Sequence, residues 1–493
     1  MNKTVGFGVT LPIYNDVPPF HPDAGFPESR FTETSLASNW PYRLLRRLFV
    51  DLKLDRDRYG TREWNPLGAY IKPCQTVLLK PNFVLSFNAG GDDIFSVVTH
   101  PSILRALVDY VYIALNGKGR IIIADVPQMD CDWEELMRIQ RLDSIQEFYA
   151  KKFNFNIEVY DCRNFAVINH SEMPLTNNRK QLSGDPAGSI IINLGKGSQF
   201  YGLPNQNYYG ADYNRQETLA HHHGEIHEYC VSRTMLSADV FLSVPKMKTH
   251  KKVGVTLNLK GLVGLNTNKN YLVHYRLGTP RNGGDQIPDS HAAKDLALVK
   301  IQRWALDRFL SNQSLVSDSI YTSVQAFYRA TIKPFLRVSD ETRLLDGGNW
   351  YGNDSAWRMT ADLARILLFA DSNGKMTDRQ QRSLFCVVDG IVAGDRMGPL
   401  EPTARRSGCL VAGADPFAVD MVTSRLMGFD PRKIRQFTDA LVCGADVDFE
   451  ELNRIQICCD GNTVGGNKFF DPMDRNQYFK FQPHPGWVGH IEA

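Results

Sequence analysis

The chain has 493 residues, a hydrophobic fraction of 43%, a charged fraction of 22% and a formal net charge of +2. That composition belongs to a globular protein with one large core or about two to three ordinary ones, and a charge so balanced excludes a general affinity for nucleic acid. No apolar run approaches the ~18–20 residues a membrane span needs, and the first residues lack the apolar core of a signal peptide.

The nine cysteines form no Cys-x-x-Cys pair. This points to reduced thiols in a cytoplasmic setting and to no iron–sulfur cluster bound within the chain.

Residues 1–74 read as an irregular N-terminal arm followed by a helix. The arm is rich in Pro, Asn and Phe, with Phe20, Phe26 and Phe31 available to wrap it on a core; behind Pro41, Leu44, Leu45, Leu48 and Phe49 recur at helical spacing. A strand–helix–strand pattern follows. Val77 to Leu79 begins a strand that Lys80-Pro81-Asn82 breaks. Thr99 or His100 caps a helix with Pro101 in its first position, and Ile103, Leu104, Leu107, Val108, Val111 and Leu115 form its buried stripe. Arg120 to Val126 returns as a strand. This spacing predicts a right-handed parallel crossover.

Asp239 to Val244 reads as a strand covered on both faces, and Pro245 marks the end of its pairing. Residues 266–290 are rich in Asn, Gly and Pro and read as an ordered loop or lid. A helical section covers about 291–336, with Ser290 as its cap and Leu296, Val299, Trp304, Leu306 and Phe309 as apolar positions. Leu384 to Asp389 is a strand entering a glycine-rich loop from Gly390 to Pro399, and Gly408 to Gly413 is another. Asp415, Pro416 and Gly428 cap, start and stop a helix, and Ile455 to Cys458 is a last strand before an irregular tail. The expected architecture is α/β: a parallel or mixed sheet with flanking helices in a core over 75–430. A mainly helical insertion at about 291–370 and irregular N- and C-terminal extensions (1–74 and 431–493) complete it.

The chemistry-bearing residues concentrate after the Asp239–Val244 strand. Lys246, Lys248 and His250 follow at period two, so in an extended chain all three point the same way, with Thr249 between them. Open α/β sheets bind ligands just beyond such strand ends. These residues, with Lys80 and Asn82 from a neighbouring strand end, suit a carboxylate or phosphate. Lys251 and Lys252 read as surface charge. Lys260 lies in an otherwise apolar run, where a lysine must snorkel, pair or lose its charge, and a lysine so placed can serve as base or nucleophile. His250 and Asp389 complete the catalytic candidates. Asp125 and Asp415 are further carboxylates, Asp415 mainly as a cap. Backbone amides near Gly394 and Gly398 can cradle an anion. His221, His223 and His227 have spacings compatible with a divalent metal, although the zincin pattern is absent.

The motifs Leu78-Leu-Lys-Pro-Asn-Phe-Val84, Thr99-His-Pro101, Val244-Pro-Lys-Met-Lys-Thr-His250, Leu259-Lys-Gly-Leu-Val-Gly264, Asp389-Gly-Ile-Val-Ala-Gly394 and Ala412-Gly-Ala-Asp-Pro-Phe-Ala-Val-Asp420 together resemble the domain-of-unknown-function 362 family over roughly 75–430. The resemblance implies an α/β domain and supplies no reaction. Many relatives carry a ferredoxin-like cysteine cluster that this chain lacks, and the family pattern often has Lys-Asn where this chain has Lys260-Gly261.

The leading expectation is an enzyme acting on an anionic small molecule. The alternatives are a non-catalytic binding or assembly protein using the same cleft, or a metal-dependent isomerase or oxidoreductase using the histidine run.

Overall fold

The computed structural model describes residues 3–168, 178–212, 214–291, 293–309, 338–439, 450–471 and 479–493, with positions 316, 319, 320, 322, 323 and 326 between them. Its centre is a twelve-stranded mixed sheet. From one edge the main strands run Asn462–Gly465, Gln456–Cys459, Thr4–Val9, Cys409–Gly413, Ser383–Asp395, Val240–Val244, Thr76–Pro81, Arg120–Asp125 and Ile157–Asp161. The five from Ser383–Asp395 to Ile157–Asp161 are parallel. Beyond them Cys409–Gly413 turns antiparallel, pairing Val388 with Val411.

Alternation along each strand fills two cores. Leu78, Ile122 and Phe241 face one side of the sheet, while Val77, Leu79, Ile121, Ile123, Val240 and Leu242 face the other. Helices Ala356–Phe369 and Pro416–Met427 cover the first face; Trp40–Asp51 and Pro101–Leu115 cover the second. The result is a three-layer α/β/α arrangement. Local signals act as expected at two helix starts. The His100 side chain accepts from Ser102 N ahead of Pro101, and Asp415 accepts from Phe417 N and Ala418 N ahead of Pro416, with Gly428 closing that helix at φ +98°.

Four expectations are corrected. The N-terminus is not irregular throughout, because Thr4–Val9 is an interior strand of the sheet, antiparallel to Cys409–Gly413 and parallel to Gln456–Cys459. The tail likewise gives a strand, Asn462–Gly465. Pairing does not stop at Pro245: Lys246–His250 is itself a strand, parallel to Ser383–Asp395. The glycine-rich stretch after Asp389 is not a loop until Asp395, since Ser383–Asp395 is one continuous strand. Of the helical section expected at about 291–336, Ala293–Phe309 is described as a helix. Of the rest of that expectation, 310–337 lies outside the described residues apart from the isolated positions given above. No helix among the described residues is long and apolar enough to cross a membrane.

Candidate functional site

The parallel strands deliver their carboxyl ends to a common cleft of about 720 Å³. Lys80 and Asn82 enter from the end of the Thr76–Pro81 strand, Asp125 from the next strand, and Lys248 and His250 from the extended Lys246–His250 strand. Thr256, Lys260 and Gly264 enter together from the helical turns Leu257–Gly261 and Leu262–Leu265. The loop 266–290 contributes Lys269, His274 and Tyr275; the helix Ala293–Phe309 contributes Arg303; Pro399 and Leu400 close one side. This is the place where open parallel sheets bind ligands.

Seven strong cations line the cleft, against four carboxylates: Asp125, Asp130, Asp212 and Asp346. The carboxylates are engaged in several places. Asp125 bonds Lys80 Nζ at 2.7 Å and accepts from Phe83 N and Val126 N. Asp346 pairs with Arg303 at 2.8 Å and Asp212 with Arg179 at 3.0 Å.

The lysines fall into two kinds. Four have their ammonium held by oxygen acceptors. Lys80 donates to Asp125 and to Pro81 O (3.0 Å). Lys248 donates to Val97 O (2.8 Å) and Pro399 O (3.1 Å). Lys252 donates to Gly347 O and Asn349 Oδ1, and Lys269 to Val126 O (2.8 Å). Lys260 and Lys251 make no such bond among the described residues. Lys251 is half-buried, whereas Lys260 is only 6% exposed. Burial alone lowers the Lys260 pKa to about 7, because an ammonium without water or a partner is the costlier form. Burial also brings Lys269 to about 7, partly opposed by Asp125. Lys248 is pushed well down by burial and then by the charges of Lys246 and Lys260.

His250 and His274 carry opposite proton arrangements. His250 Nδ1 accepts from Lys252 N at 3.0 Å, so neutral His250 bears its proton on Nε2. His274 Nδ1 faces Leu272 O at 3.0 Å, an atom that only accepts, so Nδ1 carries the proton and Nε2 offers a lone pair. Neither Nε2 has a partner among the described residues. Burial first, and then the charge of Lys260, hold both rings well below the usual histidine range. One neutral donor and one neutral acceptor therefore line the cleft beside a buried amine. Two hydrogen-bonding oxygens on its wall, Asn82 Oδ1 and Thr256 Oγ1, are buried without a partner among the described residues.

Several expected site residues lie elsewhere. Lys246 and Asp389 are fully buried and bond each other at 2.6 Å, outside the cleft. Asp389 also accepts from Tyr14 Oη and His100 N, so its oxygens are engaged by the fold. Period two fails to align Lys246 with Lys248 because the register shifts between them. Thr249 Oγ1 donates to Arg396 O at 3.0 Å. Gly394 and Gly398 are sites of close packing rather than an anion cradle: a Cβ at Gly394 would press on Ser96 O and the Lys248 side chain, and one at Gly398 on the Thr249 backbone. Asp415 is a helix cap. Lys251 and Lys252, expected at the surface, line the cleft instead.

The histidine run does not assemble a metal site. His222 and His223 form a short strand against Ile226–Ser232, so His222 and His227 pair while His223 is exposed. His221 bonds Glu228 at 2.7 Å. Among the described residues no group of three or more His, Cys, Asp or Glu can hold a metal ion.

The residues that sequence reasoning missed are Lys269, His274, Tyr275, Arg303 and Asp346. For Lys269, His274 and Tyr275 the signal was the density of Asn, Gly and Pro in 266–290; Arg303 and Asp346 lie outside it and carried none.

Fold and site together define an α/β protein with a cationic cleft past the ends of its parallel strands. Residues 184–425 match the family described as domain of unknown function (DUF362). The match covers the Lys246–His250 strand, Lys260 and the helix from Pro416, and leaves out Lys80, Asn82 and the Thr99–Pro101 motif that the resemblance had included. No curated protein matches the chain.

Proposed function

We propose that the chain is an enzyme acting on an anionic small molecule, carboxylated or phosphorylated, bound in the lysine-lined cleft. One observation carries this reading. Of the four lysines whose ammonium groups are fixed by hydrogen bonds, Lys80 alone is bonded to a carboxylate; Lys248, Lys252 and Lys269 are held by backbone or amide oxygens. Neutral oxygens orient these groups without supplying a counter-charge, and a bound anion would favour their charged forms, which burial opposes. The cavity volume lies within the ~300–1,000 Å³ usual for small-molecule sites. Lys260, His250 and His274 supply groups for proton transfer or nucleophilic attack near neutral pH.

Calorimetric titration with inorganic phosphate and with succinate tests the reading. Wild-type protein should bind at least one of them in a salt-dependent manner. Lys248→Met should weaken binding by roughly ten- to a hundredfold, the worth of one charge-assisted hydrogen bond of about 1.5–3 kcal/mol. Equal affinity in wild type and variant, or no binding by the folded wild type, rejects the proposal.

A further inference from the structure

We infer that Lys260 is a nucleophile toward a carbonyl group, and that the cleft takes an anion bearing an aldehyde or ketone, such as a 2-oxo acid or a phosphorylated ketone. This deepens the proposed function and rests on its anion-binding reading.

The argument starts from the division of labour among the lysines. A lysine whose N–H groups are directed at oxygen acceptors is fixed in position by them, and those acceptors favour its ammonium over the free amine. Lys80, Lys248, Lys252 and Lys269 are of that kind. Lys260 is the buried cleft lysine with no acceptor among the described residues, and its side chain reaches the same cavity. A desolvated amine in a cationic site is available to attack once an anion has been drawn in.

The two histidines fit the proton movements of such a reaction. The Lys260 nitrogen lone pair forms a bond to the carbonyl carbon, and the C=O π pair moves to oxygen, which accepts a hydrogen bond from His250 Nε2–H. His274 Nε2 takes one proton from nitrogen and returns it to that oxygen, giving a neutral carbinolamine. The nitrogen lone pair then forms the C=N bond as the hydroxyl leaves, and the second N–H proton passes through His274 Nε2 to the departing oxygen, which is released as water. Amine plus carbonyl thus gives imine plus water, with no oxidant or reductant. The opposite proton arrangements of the two rings supply one hydrogen-bond donor and one base without prior rearrangement.

Trapping on the full chain tests the inference. Wild-type protein is incubated at neutral pH with pyruvate in one arm and dihydroxyacetone phosphate in the other. Sodium cyanoborohydride reduces any imine to a stable secondary amine, and peptide mass mapping locates it. The expected result is a saturable adduct on Lys260 in at least one arm, suppressed by excess inorganic phosphate or succinate; the arm that labels distinguishes carboxylate from phosphate recognition. Adducts on Lys80, Lys248, Lys252 or Lys269 in preference to Lys260, or only unsaturable labelling of surface lysines, overturn the inference. If phosphate or succinate still binds calorimetrically in that case, the anion-binding reading survives. If neither binds, that reading falls and the inference with it.

Discussion

The depressed Lys260 pKa makes folding stability depend on pH in a direction opposite to that of an ordinary paired lysine. In the unfolded chain the ammonium titrates near its usual 10.5, and in the fold near 7. Between those values the unfolded state binds more protons than the folded one, so stability rises with pH. The full burial penalty applies below the folded pKa and is relieved progressively up to the unfolded one. Integrating the difference in bound protons from about pH 7 to pH 8.5 gives a gain of about 1.6 kcal/mol for this one group. Lys260→Met keeps much of the apolar stem and removes the titration. Urea denaturation of both proteins at the two pH values should therefore show a wild-type rise that exceeds the variant's by about 1.6 kcal/mol. The variant should also be the more stable of the two near neutral pH, because its side chain has no charge to desolvate. Buried groups that do not feel the Lys260 charge contribute to both proteins alike and cancel in the difference. Parallel pH dependences would mean that Lys260 titrates normally, and the argument for a neutral amine would fail.

Further expected outcomes concern the frame and the cleft. The buried Lys246–Asp389 pair is structural, so Lys246→Met or Asp389→Asn alone should cost about 3–5 kcal/mol by leaving a charge unpaired, with the double variant less affected than the sum; chemical denaturation across the cycle measures this. A Cβ at Gly264 would overlap Asp125 Oδ1 and Lys80 Nζ. Gly264→Ala should therefore displace that pair and weaken phosphate or succinate binding about tenfold or more while circular dichroism stays native; unchanged affinity would remove Lys80 from the anion site. Raising salt from about 0.05 M to 0.5 M should weaken anion binding to the wild type more steeply than to Lys248→Met, since the variant lacks one screened charge.

Much of the frame was legible because local and global signals agree there. The Val240–Val244 strand is apolar on both faces, and its neighbours at Thr76 and Arg120 carry a capped helix between them. What misled was glycine and proline. Thr4–Val9 carries glycine at two positions, Gly6 and Gly8, which blunts its strand signal. They are glycine because side chains of the Trp40–Asp51 helix and the residue after it, Leu44, Arg47 and Leu52, press against them. Gly390 and Gly394 imitate a loop, yet they sit inside a strand where Met247 and the Lys248 side chain approach closely. Pro245 lacks an N–H but keeps its carbonyl, which accepts from Asp389 N at 2.9 Å, so the ladder passes across it.

The site was legible as a list of charges and not as a set of roles. Sequence separates lysines by the apolarity of their neighbours, and on that ground both Lys246 and Lys260 stand out. Their fates differ because of a partner distant in the chain: Asp389 meets Lys246, and among the described residues no carboxylate meets Lys260. Lys251 and Lys252 looked like solvated charge because two adjacent lysines usually are, whereas the loop at Gly347–Asn349 folds back to take the Lys252 ammonium. The same reasoning distinguishes the cleft lysines from one another. Acceptor oxygens favour the ammonium and fix its position; an amine with no acceptor among the described residues has its lone pair unengaged. Hydrogen-bond partners, which only the fold supplies, are therefore what the proposal uses to separate Lys248, Lys252 and Lys269 as binding groups from Lys260 as the reactive one.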